Sequence, residues 1–344
     1  MRVSVLLLVA ALVLGGGGRA DAGGVGVRDI PVPAPERHGV LHATVWYPSD
    51  ASGAPVQVGG NAVFRGTPAL RDAAVAPGRF PLALIAHGGF RAAANTAGWL
   101  ARALAERGYV AVVTQPPRLP DGPATALALR EVWLRPADLA AALDAVMAAR
   151  ELGGRIDTGR VGAVGFFLGG YAVLELAGAR VDAAAFGRSC DAGAMGTDCA
   201  WFASGGIDPH QADAGLLERS NRDARVRTVV AVDPELGAAL AGDSLGAMAV
   251  PVSLVNLGRP GSIPARLDAS VLATKIPGAR YVAIPNAPPF SSFPDCTPKG
   301  AMILAGSGGE AGLCAHSGPA REAAHAAVAA AILDALRRGF SAGT

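Results

Sequence analysis

Short continuous apolar runs alternate along this chain with longer stretches in which apolar residues recur at helical spacing. A strand buried on both faces has such a run, because neither face meets water. The runs lie at 81–86, 109–114, 161–165, 227–232, 250–257 and 279–284. The helical stretches lie at 96–107, 136–152, 168–179, 267–275 and 319–338.

The remaining segments predict two leading strands and several loops. The strands are expected at 25–32 and 39–47, with Pro48 ending the second. Pro136 suits the first turn of the helix that it begins, where a missing N–H costs nothing. The expected loops are 49–80, 115–135, 180–224 and 285–318. Of these, 180–224 is predicted to be a small cap-like insertion above a sheet.

The alternation of strands and helices predicts a doubly wound, mostly parallel sheet with helices on both faces. In such sheets, ligands bind outside the carboxyl ends of the strands. The loops after Ala86, Gly165, Leu257 and Ile284 all meet at that edge. A functional site is therefore expected there.

Composition and charge exclude some functions. The chain has 344 residues, 51% of them hydrophobic, and a net charge of +2. That is enough apolar material for a large core. No basic block occurs, so nucleic-acid binding is not expected. No residue spacing suggests a metal site, and no cofactor is predicted.

The first 22 residues have the pattern of an export signal. Arg2 supplies a positive charge, and residues 3–14 form an apolar run that is too short to span a bilayer comfortably. Ala20-Asp-Ala22 is a small-x-small cleavage site, so the mature chain is expected to be residues 23–344. An uncleaved anchor is the alternative. No later segment predicts a membrane span, and the expected location is secreted or periplasmic.

Four cysteines fit an exported protein, because oxidising compartments favour disulfides. Proximity in sequence favours the pairs Cys190–Cys199 and Cys296–Cys314 among three possible connectivities. Zinc is the rival interpretation. It lacks support because no Cys-x-x-Cys pair is present and His316 is the only histidine close to a cysteine.

Residues 161–171 predict a strand, a sharp turn and a helix. Gly165 and Gly169 stand where the nucleophile elbow, Gly-x-Ser-x-Gly, needs small residues. The position between them is Phe167, which has no nucleophilic atom. Gly242-Asp-Ser244-Leu-Gly246 matches the motif literally, but an alanine-rich helical stretch precedes it, so Ser244 is expected to be a loop or helix-cap residue.

Five motifs follow one another along the chain: His87-Gly-Gly-Phe-Arg91, Arg135-Pro-Ala-Asp138, Arg160-Val-Gly-Ala-Val-Gly165, Leu168-Gly-Gly-Tyr171 and Ile276-Pro-Gly-Ala279. Their order and spacing resemble the secreted α/β-hydrolases called dienelactone hydrolase-like, a group related to the platelet-activating-factor acetylhydrolases. The resemblance covers nearly the whole mature chain and includes the positions of both cysteine pairs. It implies the α/β-hydrolase fold and hydrolysis of an ester or lactone by a Ser-Asp-His triad.

The same resemblance implies that the three triad positions are substituted. Phe167 stands at the nucleophile position, Gly261 at the acid position and Pro289 at the base position. The backbone N–H groups of Gly89 and Leu168 match the oxyanion hole, and side-chain changes leave such donors in place.

Other polar residues are candidate replacements for the triad. His316 and His325 are candidate bases, Ser291 and Ser292 lie in the former base loop, and Asp233 ends a strand at the site edge. None of the serines has a histidine adjacent in sequence to activate it. His87 is expected to shape the oxyanion loop, and His210 to be a solvated loop residue.

Three functions remain open. The first is a pseudo-hydrolase that binds a small apolar ligand or a protein partner, or a decaying paralogue. The second is a working carboxylesterase or dienelactone hydrolase-like enzyme that uses non-standard residues. The third is an interaction protein, which predicts a large exposed apolar patch near the insertion.

Overall fold

The computed structural model describes residues 23–89, 93–120, 122–191, 198–306 and 310–342. The predicted leader at 1–22 lies outside these residues, as do Phe90 and Arg91 of the first motif. The strands of the described segments are β1 (Gly24–Ala34), β2 (Gly39–Ser49), β3 (Ala54–Val58), β4 (Thr67–Arg71), β5 (Phe80–Ala86), β6 (Val110–Gln115), β7 (Ile156–Phe166), β8 (Val226–Val232), β9 (Val252–Leu257) and β10 (Arg280–Ile284).

The strands form one sheet in the order β10-β9-β8-β7-β5-β6-β2-β1-β4-β3. All neighbours from β10 to β6 are parallel, and these are the strands that the apolar runs predict. The sequence of β5 is apolar because every residue after Phe80 is buried. The prediction of a mostly parallel α/β sheet is confirmed. β7 lies near the middle of the sheet, so the turn that follows it lies near the middle of the edge where the parallel strands end.

The helices of the described segments pack on both faces. The core on one face contains α1 and α10, and the core on the other contains α2 and α3. The bounds are α1 (Gly98–Ala105), α2 (Leu127–Ala148), α3 (Leu168–Leu176), α4 (Ala183–Arg188), α5 (Cys199–Ser204), α6 (Ala214–Leu217), α7 (Gly242–Gly246), α8 (Ser270–Lys275), α9 (Gly300–Gly306) and α10 (Pro319–Ala342).

Three sequence expectations about proline-containing segments are wrong. The segment 49–80 is not all loop, because β3 and β4 pair with each other and β4 also pairs with β1. Pro55 is tolerated because β3 is the edge strand and needs no outward donor. Likewise, Pro48 lies inside β2 rather than ending it.

Pro136 lies in the interior of α2 and not in its first turn. A helix-interior proline costs about 3 kcal/mol, since it removes one hydrogen bond and crowds the preceding turn. The turns before it bury Leu129 and Val132, among other apolar residues, in the core. Burial of this face explains why the helix extends through the proline, which sequence position alone did not indicate.

Both disulfides form between cysteines that are close in sequence. Cys190 pairs with Cys199, and Cys296 pairs with Cys314. The described parts of 180–224 are not simply irregular, since they contain α4, α5 and α6. Among the described segments, no helix is both long and apolar enough to cross a membrane.

Candidate functional site

The turn between β7 and α3 has the shape that its glycine spacing predicts. Phe166 ends the strand, Leu168 begins the helix, and Phe167 alone makes the turn with φ 55° and ψ −122°. A non-glycine residue at such a φ carries strain of about 1–3 kcal/mol. The Phe167 N–H donates to the Val232 carbonyl oxygen at 3.1 Å, so β8 helps to hold the turn.

The two flanking glycines are required by close approach of the backbone. A methyl group at Gly165 would lie 2.0 Å from the Gly169 carbonyl oxygen. One at Gly169 would lie 2.4 Å from the carbonyl oxygen of Ala86, the last residue of β5. Helix α3 can therefore lie against the ends of two strands only because neither residue has a side chain. The sharp turn is a consequence of this packing.

The ring of Phe167 lies in an aromatic cluster. Its centroid is 5.8 Å from His87, 5.8 Å from Phe293 and 6.4 Å from Phe290. Only 6% of Phe167 is exposed. We call Phe167, Phe290 and Phe293 the aromatic plug. Phe290 and Phe293 come from the loop after β10, so this loop packs its rings against the turn residue.

His87 follows β5 and is buried against the plug. Its Nε2 donates to the Ser292 carbonyl oxygen at 3.1 Å, since a carbonyl can only accept. Among the described residues, its Nδ1 has no hydrogen-bond partner. Burial lowers the pKa of His87 to about 3, because the imidazolium would lose its hydration. His87 is therefore neutral at ordinary pH and is a poor proton acceptor.

His325 on α10 is committed in the same way. It stacks on Trp99, with ring centroids 3.8 Å apart and planes 3° from parallel. Its Nε2 donates to the Phe293 carbonyl oxygen at 3.0 Å, and burial lowers its pKa to about 4. Trp99 Nε1 donates to the same Ser292 carbonyl that His87 bonds, at 2.7 Å. The two histidines therefore hold the backbone of residues 290–293, which we call the plug segment because it carries Phe290 and Phe293.

Arg321 completes this backbone support, and sequence reasoning missed it. It is only 1% exposed. Its guanidinium donates to the carbonyl oxygens of Phe290, Phe293 and Leu313 at 2.8, 2.9 and 2.6 Å. Burial lowers its pKa from the usual arginine value. One arginine on a helix gives no sequence signal of such a role, because the acceptors are main-chain atoms of distant segments.

The chain is similar to known proteins in its fold but not in a recognised sequence family. No protein-family model and no curated protein sequence matches the chain. A ferulic acid esterase from Streptomyces cinnamoneus is similar over 92% of this chain and 89% of its own, with 20% identity and a TM-score of 0.57. A dienelactone hydrolase-like promiscuous phosphotriesterase from metagenomic libraries is similar over 91% and 99%, with 17% identity and a TM-score of 0.51.

The protein has the α/β-hydrolase fold. The expectation drawn from the five motifs is confirmed at that level. At these identities, the likeness describes the chain path and not the chemistry of the site. The substituted triad positions therefore stay predictions from sequence, although the structure reports where each residue lies.

In this α/β-hydrolase-fold protein, the predicted acid and base positions carry no reactive group. Gly261 is exposed in the loop after β9, with φ 84°. Pro289 is exposed immediately before Phe290 of the plug. Asp233 is buried at the end of β8 and accepts from the Asn256 side chain and the Leu257 N–H. Burial raises its pKa to about 6, and these hydrogen bonds oppose the rise.

The predicted oxyanion loop is anchored from behind by a buried ionic cluster. Arg135 donates to the Gly89 carbonyl oxygen at 3.3 Å and to Glu131 at 2.9 Å. Arg37 bonds both Glu131 and Asp138 at 2.7 Å. The Arg135-to-Asp138 motif of the sequence is therefore the cluster that holds this loop. Leu168 is fully buried at the first position of α3.

Most of the other candidate residues have structural partners, but the buried hydroxyl of Ser292 has no hydrogen-bond partner among the described residues. Ser244 lies in α7, where its hydroxyl donates to the Ala241 carbonyl and accepts from the Arg180 N–H. Ser291 donates to the Pro288 carbonyl at 2.7 Å. His316 is exposed, and exposed His210 pairs with Asp191. Within the described residues, no three His, Cys, Asp or Glu side chains are grouped as metal ligands.

Proposed function

We propose that this is an exported α/β-hydrolase-fold protein of carboxylic-ester or lactone hydrolase ancestry that no longer performs triad catalysis. The observation that carries the proposal is Phe167 at the strained turn, with its ring packed against Phe290 and Phe293. A serine there attacks the substrate carbonyl in active members of the fold. A phenyl ring has no nucleophilic atom and blocks approach to the turn.

The surroundings of the turn support the same conclusion. A general base must accept a proton at working pH, and burial holds His87 and His325 neutral with low pKa values. Both rings also donate to main-chain carbonyls of the plug segment. Gly261 has no side chain and Pro289 has no titratable group, so neither position supplies an acid or a base.

The apolar lining favours a small apolar ligand over a charged one, if the plug opens. A protein partner is the other class of ligand consistent with loss of catalysis. Export is supported by the leader pattern at 1–22 and by the two disulfides, since such bonds persist in oxidising compartments.

Hydrolysis of p-nitrophenyl esters by purified protein tests the proposal. We expect no saturable turnover from the natural chain, and no efficient turnover from Phe167→Ser, because that serine still lacks an acid and a base. A fluorophosphonate probe should label neither protein above the level seen with Ser244→Ala. Saturable turnover of the natural chain that a single substitution abolishes would overturn the proposal and establish a carboxylesterase with non-standard residues.

A further inference from the structure

One buried arginine, Arg321, donates hydrogen bonds both to the plug segment and to the residue that precedes the second disulfide. Arg321 Nη1 bonds the carbonyls of Phe290 and Phe293, whereas Nη2 bonds the carbonyl of Leu313 at 2.6 Å. Phe290 and Phe293 belong to the plug. Leu313 immediately precedes Cys314, whose disulfide partner is Cys296. The guanidinium therefore connects the plug to the segment that this disulfide holds.

The disulfide joins the same two segments covalently. Cys296 lies three residues after Phe293 and Cys314 lies one residue after Leu313. The bond therefore limits how far the Leu313 carbonyl can move from the plug. Without the disulfide, the Leu313 carbonyl could move away from Arg321, which would lose its shortest hydrogen bond. A buried charge that lacks a hydrogen-bond partner is unfavourable.

The plug backbone is itself under constraint. Phe290 has φ 65°, which a non-glycine residue adopts only when its surroundings hold it. Two turns protect amides of the plug segment from exchange. The Ser291 N–H donates to the Pro288 carbonyl oxygen and the Phe293 N–H donates to the Phe290 carbonyl oxygen, each at 3.0 Å. Release of the carbonyls from Arg321 removes the only charged donor to this backbone that the described residues show, and leaves the neutral donors His87, Trp99 and His325.

We propose that Arg321 and the Cys296–Cys314 disulfide form a redox-dependent latch that keeps the aromatic plug closed. A dithiol reductant supplies two electrons and two protons, cleaves the sulfur–sulfur bond to two thiols and becomes a disulfide itself. The 310–316 segment then moves away, Arg321 releases the plug carbonyls, and the site opens to a small apolar ligand. The latch concerns the conformation of the plug and holds whether or not the protein hydrolyses esters.

The other disulfide provides a matched control. Cys190 and Cys199 lie in the predicted insertion, where Cys199 Sγ contacts the Ser189 carbonyl. No hydrogen bond of Arg321 that the structure shows goes to that segment. Loss of this bond should loosen the insertion and leave the plug closed.

Hydrogen exchange measured by mass spectrometry tests the latch on the full chain. In the Cys296→Ser/Cys314→Ser protein we expect the peptide covering residues 286–294 to exchange roughly tenfold faster or more, with β5 and β8 unchanged. The Cys190→Ser/Cys199→Ser protein should exchange there at the natural rate. Equal plug exchange in the two double variants would overturn the proposal.

Two further measurements keep the test decisive if the first double variant does not fold. Arg321→Lys in the oxidised protein should also accelerate exchange in 286–294, since an ammonium cannot reach all three carbonyls in the geometry of a guanidinium. Dithiothreitol treatment of the natural chain should do the same and increase the fluorescence of added anilinonaphthalene sulfonate. Unchanged plug exchange in both would refute the latch.

Discussion

Substitution of Phe167 by glycine and by alanine separates ring packing from backbone strain. Both changes remove a ring that is only 6% exposed. Loss of a buried phenylalanine costs about 3–5 kcal/mol, and this loss is nearly the same in the two variants. The variants differ in the strain at φ 55°, because only alanine keeps a Cβ there.

At an unstrained site, glycine is less stable than alanine by about 0.5–1 kcal/mol, through its greater freedom in the unfolded chain. At Phe167, relief of about 1–3 kcal/mol of strain should reverse that order. We therefore expect Phe167→Gly to unfold at higher denaturant concentration than Phe167→Ala, by up to about 2 kcal/mol in free energy, the difference of these two terms.

Urea unfolding followed by far-ultraviolet circular dichroism measures the difference, provided that the two variants have equal m values. The control is the same pair of residues at Ala145, an interior position of α2 with ordinary helical geometry. There alanine should be the more stable residue. If alanine is also the more stable residue at position 167, the turn does not hold a strained conformation and its likeness to a nucleophile elbow is wrong.

Three further predictions concern burial, charge and close approach. Burial raises the pKa of Glu175 from 4.5 to about 8, so its contribution to stability is complete below pH 4.5 and is lost as pH rises through 8. In urea titrations, the free energy of unfolding of the natural chain should fall relative to that of Glu175→Gln by up to about 1.4 kcal/mol per pH unit over that window. A difference that stays constant with pH would contradict the burial of Glu175. Arg37→Met should lower the free energy of unfolding by about 3–5 kcal/mol, because Glu131 and Asp138 stay buried without their partner. The control Arg160→Met, at an exposed ion pair, should lower it by at most about 1 kcal/mol. Equal shifts of the melting temperature in the two variants would contradict the burial of the Arg37 cluster. Gly165→Ala should prevent folding or cost more than about 4 kcal/mol, whereas Gly154→Ala, which meets nothing within 4 Å, should be nearly neutral in circular-dichroism melts.

The parallel strands could be predicted because their chemistry is local. A strand covered on both faces needs apolar residues throughout, as at Leu82 to Ala86 of β5. The elbow could be predicted for a related reason. Gly165 and Gly169 are each required by a backbone contact at a fixed offset from the turn. Such requirements leave a pattern in any sequence that forms the structure.

The errors arose where distant partners decide local structure. β3 and β4 form because they pair with each other and β4 also pairs with β1, although their own residues suggest a loop. Pro136 is retained inside α2 because the turns before it bury apolar residues. Intrinsic propensity cannot report either effect, since the stabilising contacts belong to other segments.

The sequence by itself determined the class of fold, the strained turn and the absence of a nucleophile at position 167. These depend on residue types at short spacing. Only the tertiary structure decided which rings pack against Phe167, because His87 comes from one loop and Phe290 and Phe293 come from another that is about 200 residues away in sequence. The same is true of Arg321, whose hydrogen bonds end on main-chain carbonyls. Every residue carries a main-chain carbonyl. The residues near Arg321 in the sequence therefore do not indicate which carbonyls folding brings to its guanidinium.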